Sequence, residues 1–557
     1  MKFLKKSKKI FMALIIGILS AYLLWYTLRL CRCLMNSDTA YIIDYVELMF
    51  KYKSLFPKTW VNTNDFWVYS LIPQLALFMK LGINMFLSRQ LSVIVQNIAL
   101  FATILYFFKT INIKKGVFEF FVLIMSGVSA QFMFEMYGDG TYATIILFIL
   151  LAIILFIKYL KTNKIGYAIG LFVLITLLCS CSLRFPILLA APLIFCLIYF
   201  AYTNRKIKKD YVISFIAIVL GVIIGYCIYK YLLEVLMINS YVERPTIDDS
   251  NNFANAIYNT VFDYLFMSGS TGKANHTLGA SLHRFINSSS PSILITFVKM
   301  IFAIFVLVVP FKLKKKIDKL TKEEQITYVF VSSSSLLLLF FLIIGDMHWF
   351  RYHVTFVFFL MLLLPIYYKY FVESDKLKKG ISSGVVALIS ICSMILVFDS
   401  TIDFEKYEIK ENEYQGLVDF LVSKELYFGF NARDNEHNIY HLLSDGKIRI
   451  ARLNRTLDMP YYWLNSTDWF QKDYYKGNVF FINNISKSDL PFPAVEEKAL
   501  MVYHYDDYNI YVLENSSVVL DQLKSTYYAP ARNWKQFRDE DDLAKKRSLR
   551  SLFEKAE

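Results

Sequence analysis

The chain has 557 residues, 56% of them hydrophobic and only 19% charged, with 60 Lys/Arg against 46 Asp/Glu and a formal net charge of +14. Together with a mean hydropathy of +0.42, this composition excludes an ordinary water-soluble enzyme. The charge is also divided: residues 1–398 carry 39 Lys/Arg and 19 Asp/Glu, a balance of +20, and residues 399–557 carry 21 and 27, a balance of −6. Positive charge gathered in short loops reports membrane orientation rather than binding to nucleic acid.

In chain order, the basic start "MKFLKKSKK" leads into the first of eleven apolar runs of membrane-crossing length: residues 10–30, 88–108, 117–136, 142–158, 166–182, 185–202, 211–236, 293–311, 325–345, 353–371 and 381–398. No small-x-small cleavage site follows the first run, so it is expected to stay as an uncleaved helix. Five loops, "KTINIKK" (109–115), "KYLKTNK" (158–164), "NRKIKK" (204–209), "KLKKKIDKLTK" (312–322) and "KYFVESDKLKK" (369–379), hold 20 Lys/Arg, whereas the three short turns on the other side hold two. The asymmetry places the N-terminus in the cytoplasm and makes the chain a multi-pass protein of the cell membrane. It also excludes "FWVYSLIPQLALFMKLG" (66–82) as a crossing, because a crossing there would invert every later loop. That run is expected to lie at the outer interface, with Trp67 and Tyr69 at headgroup depth and Pro73 bending it.

The outer face then carries a first loop (31–87), a second loop (237–292) with an amphipathic stretch "NNFANAIYNTVFDYLFM" and a Gly/Ser-rich "SGSTGKANHTLG" expected to be mobile, and a soluble domain over 399–557. Alternation predicts strands in that domain at "ELYFGF", "KIRIARL", "NVFFIN", "ALMVYHY" and "NIYVLE", with helices at "EYQGLVDFLVS" and "EHNIYHLLS" and a surface or disordered end from "RDEDDLAKK" onward. The expected architecture is a polytopic α-helical membrane protein of about 11 spans with a small α/β domain outside. All seven cysteines lie in or beside apolar runs; the Cys179/Cys181 spacing reads as small helix-packing residues, and no disulfide framework is implied.

Few residues carry chemistry. Arg184 in "CSCSLRFP" and Arg351 in "GDMHWFRYHVT" are the two basic residues of the short outer turns. Charge at membrane depth points to an ion pair or an anionic ligand, and a guanidinium forks well onto phosphate; snorkelling to lipid phosphates is the plain alternative. Asp139 in "EMYGDGTYA" is a turn acid. Asp38 in "NSDTAYII" opens an amphipathic helix and reads as an N-cap or a functional acid, while Asp44 and Glu47 read as its wet face. His437 and His441 have i, i+4 metal-ligand spacing without a third ligand, and His348 and His353 flank Arg351 at the interface. Trp463 and Trp469 read as core aromatics or as a platform for sugar. There is no P-loop, GxGxxG or GxSxG in a fitting context.

The order of these features resembles membrane glycosyltransferases of GT-C fold that take sugar from a polyprenyl-phosphate carrier, the protein O-mannosyltransferase and aminoarabinose-transferase branch above all. "SDTAYI" is similar to the acid motif that opens that family's first outer loop, with Asp38 on the first acid and Thr39 in place of the second. "SLIPQLALFMKLGINMFLSRQLS" resembles its interfacial helix, with Pro73, Gly82 and Arg89; "SLRFP" its phosphate-facing turn, with Arg184 for a Lys; and "FRYHVTF" a late-span motif, with Arg351 and Tyr352 but no Pro. The resemblance covers residues 1 to about 400 and implies Asp38 and Asp139 as catalytic acids. It further implies Arg184, Arg351 and Arg89 on the carrier phosphate, and Tyr41, Tyr352 and His348 near acceptor or sugar. It leaves open a divalent metal, Mg or Mn, shared by Asp38 and Asp139. The partners implied are a polyprenyl-phosphate-linked sugar, a cell-surface acceptor and membrane lipid, with no nucleic acid. Rival readings are a flippase of lipid-linked glycan, a surface-glycan polymerase or ligase on another fold, and a receptor for wall fragments; few mid-span charges and no related halves speak against transport.

Overall fold

The structure is a computed structural model that describes residues 2–523 except 63–64, 66–69, 233–237, 240–250, 271–289, 345–349, 433–435, 454–459, 462–463 and 485–492. Among the described residues, nine helices are long and apolar enough to cross a bilayer. They include α1 (Lys2–Leu28), and α2 (Ser37–Tyr52) and α3 (Ile72–Lys80) follow it outside the membrane before α4 (Met85–Thr110) crosses back. The predicted run 66–82 thus yields a nine-residue helix, not a span; Pro73 opens it within its first turn instead of bending it. Trp67 and Tyr69 lie outside the described residues.

The run 117–136, expected as one helix, is a broken one: α5 (Val117–Met125) and α6 (Ala130–Met133), the latter continuing π-helically through Phe134–Asp139, meet at 94°. Gly127 sits at φ +75° in the break, and the Ser129 hydroxyl accepts from Phe132 N (2.9 Å) to cap the second piece. Counted as one span, the two pieces bring the candidate crossings among the described residues to ten. Gly116 at the start packs so closely on Tyr368 that an added Cβ would lie 2.8 Å from that side chain. At the other end, the Tyr137 carbonyl accepts from Thr27 Oγ1 (3.1 Å), where α1 ends.

α7 (Thr141–Thr162) is the most apolar span and the most enclosed, with α4 and α8 (Ile165–Cys179) against it. α8, at 15 residues, is short for a span. It meets α10 (Lys209–Tyr231) through Gly221 and Gly225, where a Cβ would come within 2.7 Å of Cys179 Cβ. Cys179 is therefore a packing residue, and all seven cysteines are free. The remaining spans are Pro186–Asn204, which includes α9 (Ala191–Asn204), then α12 (Ser290–Lys314), α13 (Lys322–Ile344), Phe350–Phe371, and α16 (Lys376–Thr401). Phe350–Phe371 is built from α14 (His353–Leu362) and α15 (Leu364–Phe371), while the amphipathic stretch of the second loop forms α11 (Asn251–Met267). Most of the Gly/Ser-rich segment after it lies outside the described residues.

Three extramembranous pieces are tied by backbone pairing. β1 (Trp60–Asn62) from the first loop pairs in parallel with β2 (Ile238–Asn239) from the second and antiparallel with β5 (Asn465–Ser466) from the soluble region. These regions therefore share one side of the bundle, as the charge asymmetry requires. The soluble region folds on a five-stranded sheet of order β4-β3-β6-β8-β7. Its strands are β3 (Phe428–Ala432), β4 (Arg449–Leu453), β6 (Val479–Asn484), β7 (Met501–Tyr505) and β8 (Tyr508–Leu513). Pairing is parallel among β4, β3 and β6 and antiparallel through β8. Each of the five predicted strands is present, and α17 (Gln415–Ser423) and α18 (His437–Leu443) are the two predicted helices. The terminal segment from residue 524 lies outside the described residues.

Candidate active site

The sequence of α2 decides what Asp38 is free to do. The N-cap is Asn36: its side chain accepts from Thr39 N (3.1 Å), and Thr39 Oγ1 in turn accepts from Asn36 N (3.0 Å). Asp38 is therefore not the cap, which corrects the expectation for that residue. Its carboxylate lies in the first turn and accepts from Arg351 Nη1 at 2.5 Å. Thr39, where the resembled motif has its second acid, completes the capping box.

A second acid–guanidinium couple stands beside the first. Arg184, in the turn after α8, ion-pairs with Asp65 of the first loop, whose other oxygen accepts from Ser182 Oγ at 2.5 Å. The Arg184 guanidinium also lies over the Tyr352 ring, 4.7 Å from its centre. Burial works against the charge on Arg184, and Asp65 more than offsets this, holding it cationic. Tyr142, in the first turn of α7, is within electrostatic reach of both Arg184 and Arg351, and its buried hydroxyl has no hydrogen-bond partner among the described residues. An unmet phenol donor near two guanidinia is an arrangement that suits an oxyanion. Glu135, buried on the broken helix, is hydrogen-bonded by Gln131 (2.8 Å) and lies within electrostatic reach of Arg351, Asp139 and Asp38.

Arg89 behaves differently from the other two arginines. It is fully buried and donates to Thr39 O (2.7 Å), Gly138 O (2.8 Å), Asp139 O (3.1 Å) and Gln90 Oε1 (2.9 Å), with Asp139 Oδ1 at 3.4 Å. These donors bolt the α2 start to the Gly138–Asp139 turn, leaving no open face for a lipid phosphate; the expectation that Arg89 contacts the carrier is corrected accordingly. Asp139 is likewise engaged, by Arg89 and by Thr141 N (3.2 Å). Tyr41 stacks on buried Trp60 with ring centres 6.4 Å apart, and burial raises its phenol above the usual range. His348 lies outside the described residues. His353 is buried in the bundle, edge-on to Phe356, rather than at the interface.

The remaining acids of α2 are not a wet face. Asp44 is 1% exposed, and with Glu47 it meets His441 and Arg449 of the soluble domain. His441 Nε2 lies 2.9 Å from Glu47 Oε2 and 3.6 Å from Asp44 Oδ1. Its Nδ1 faces Ile448 O at 3.0 Å, which fixes the ring. Burial opposes the Glu47 carboxylate, but the hydrogen bond from His441 and the nearby His441 and Arg449 charges bring it down to about 2. Burial pushes Asp44 up, opposed by His441 and Arg449. The domain grips the other end of α2 as well: Ser37 N donates to Glu436 Oε2 (2.5 Å), and Ser37 Oγ accepts from Asn438 N (2.9 Å). Lys51 pairs with Asp468 at 2.7 Å. His437, at metal-ligand spacing from His441 but without a third ligand in the sequence, turns to Leu464 O (3.0 Å).

Asp44, Glu47 and His441 form the one group of three among the described residues whose ligand atoms could converge on a cation; Asp38 and Asp139 belong to no such group. Arg449 Nη2 already occupies that point, 2.8 Å from His441 Nε2, 3.3 Å from Asp44 Oδ1 and in contact with Glu47. A divalent ion there would have to expel a guanidinium. The residues as arranged fit an ion-pair network better than a metal.

Asp65, Glu135 and Tyr142 are the members that sequence reading missed. An arginine in an outer turn requires a counter-charge, and Glu135 inside an apolar run is itself a functional signal in membranes; both signals were present.

No family model matches the chain. No curated protein matches it either. Among solved structures, it is similar to the crystal structure of ArnT from Cupriavidus metallidurans in the apo state, with a TM-score of 0.40 and 8% identity over 93% of this chain and 100% of that one. It is also similar to the same protein bound to undecaprenyl phosphate, with a TM-score of 0.38 and 8% identity over 92% of this chain and 99% of that one.

Proposed function

We propose that this chain is an integral-membrane glycosyltransferase that moves a sugar from a polyprenyl-phosphate carrier to a cell-surface acceptor on the face bearing the soluble domain. The observation that carries the reading is the pair of neighbouring couples, Asp38–Arg351 and Asp65–Arg184, with the unmet Tyr142 hydroxyl in electrostatic reach of both cations. A sugar phosphodiester has a good leaving group, so the reaction needs cations on the departing phosphate and a base on the acceptor more than it needs a strong acid. Asp38 accepts the proton of the attacking acceptor hydroxyl as its oxygen bonds to the anomeric carbon. The bond from that carbon to the phosphate oxygen breaks, and the carrier leaves as polyprenyl phosphate against Arg351 and Arg184, with Tyr142 donating to it. Arg351 releases Asp38 as it takes up phosphate, which coupling makes the base available only when donor is bound. Asp139, held by Arg89, and Glu135 set the local field; Arg89 positions Asp38 through the Thr39 carbonyl.

The test is Asp38→Asn in the full chain, reconstituted in lipid with polyprenyl-phosphate sugars and a membrane-wall extract as acceptor. Loss of a base lowers turnover by about 100- to 10,000-fold, while thermal stability holds because Asn36, not Asp38, caps α2. Undiminished transfer in this variant would sink the assignment.

A further inference from the structure

We infer that a cleft at the seam between α2 and the sheet domain binds the non-reacting stretch of an anionic saccharide acceptor. The inference rests on the glycosyl-transfer reading and extends it to the class of acceptor.

The cleft encloses about 340 Å³ between the C-terminal half of α2 and the β3–β4 edge of the sheet, lined by Tyr427, Tyr474 and Tyr475 and by Lys51, Lys447 and Arg449. Its aromatic wall is set in place from behind: the Tyr475 ring stacks on buried Phe428 at 5.5 Å, and Tyr474 tilts against the same ring at 5.2 Å. All three tyrosines remain partly exposed. Rigid, amphipathic rings of this kind give contact area at little entropic cost, with a hydroxyl at the rim for hydrogen bonding.

The second property is charge. Three cations line the cleft, and two of them are already compensated: Arg449 by Glu47 and Asp44, and Lys51 by Asp468. Lys51 is held by Asp468 and lies 5.6 Å from the Tyr474 ring centre. Lys447 is exposed and makes no ion pair among the described residues. The tyrosine wall serves any saccharide, and the uncompensated Lys447 adds a preference for a chain bearing carboxylate or phosphate groups.

Third is position. The cleft and the proposed base share one helix: Glu47 lies nine residues beyond Asp38 and Lys51 thirteen, or about 13 to 20 Å along the axis. Nine and thirteen residues also carry the cleft residues about half a turn round the helix from Asp38, so a polymer whose reacting hydroxyl is at Asp38 would wrap round α2 to reach the cleft.

The probe is hexagalacturonate, with its fully methyl-esterified form as the uncharged control, titrated against the full chain in lipid nanodiscs. Polyprenyl-phosphate binding is measured on the same samples. The expected result is preference for the acid form, a loss of about tenfold in its affinity in Lys447→Glu, and a loss of about three- to tenfold for both forms in Tyr475→Ala. Carrier binding should be retained in both variants. Equal affinity for the two forms, or unaltered binding in both variants, overturns the inference. So does a variant that loses saccharide and carrier together, because its effect is not local. A wild-type chain that binds the acid saccharide but no polyprenyl phosphate would leave the cleft standing and defeat the donor reading instead.

Discussion

Arg351 and Arg89 each face a carboxylate from the same small group of acids, yet they do different work. Arg351 and Asp38 have side chains 28% and 40% exposed and pair with each other; Arg89 is wholly buried, with donors fixed on three backbone carbonyls. A partly exposed pair contributes less to stability and can open for a ligand. A buried guanidinium repaid by several hydrogen bonds cannot leave without exposing the groups it satisfies. Charge type alone therefore does not separate the two arginines; how far each guanidinium is enclosed does.

Substitution of each arginine by glutamine should break this comparison open. Arg89→Gln carries the largest effect: a loss of about 3–5 kcal/mol of stability, the cost of stranding a buried network, read as a collapse in yield of folded protein from detergent. Arg351→Gln should leave folding within about 1 kcal/mol of wild type while lowering sugar transfer by about 100- to 1,000-fold, read as turnover at saturating donor. A variant pair with equal losses of fold would erase the distinction.

The smallest effect sharpens the same contrast at the seam. Glu47 has its carboxyl lowered from 4.5 to about 2 in the folded chain. A depressed acid adds stability that is fully present above the unfolded value, near pH 4.5, and disappears as pH falls through about 2. The melting-temperature gap between wild type and Glu47→Gln should therefore be constant from neutrality down to about pH 4.5 and narrow below it. A gap that widens on acidification would assign the pairing to another group.

Much of the fold was legible in the sequence because its signals are local. Apolar runs of bilayer length, the lysine content of alternate loops and period-two alternation in the last third each report on a single stretch of chain. The break at Gly127 was not legible: "FEFFVLIMSGVSAQFMFEM" is apolar throughout, and hydropathy does not register a left-handed glycine with a serine cap behind it. At the site, Arg184, Arg351 and Asp38 stood out because charges in outer turns are conspicuous. Asp65 did not, since its role depends on a partner 119 residues away in "SLRFP". Asp44 and Glu47 were misread for the same reason: helical spacing made them a solvent face, and only the arrival of His441 and Arg449 buries them.

The three-stranded pairing has a consequence for how the molecule is made. β1 is synthesised early, but its partner β5 emerges roughly 400 residues later, at Asn465, which at about 5–20 residues per second is some 20 to 80 seconds of translation. Until the C-terminal region has been made and folded, the first loop lacks one neighbouring strand, and the helix bearing Asp38 lacks the contacts that hold both its ends. Assembly around Asp38 thus waits on chain made roughly 400 residues later, and a chain stalled before Asn465 would hold the apolar helices without the strand and contacts that brace α2.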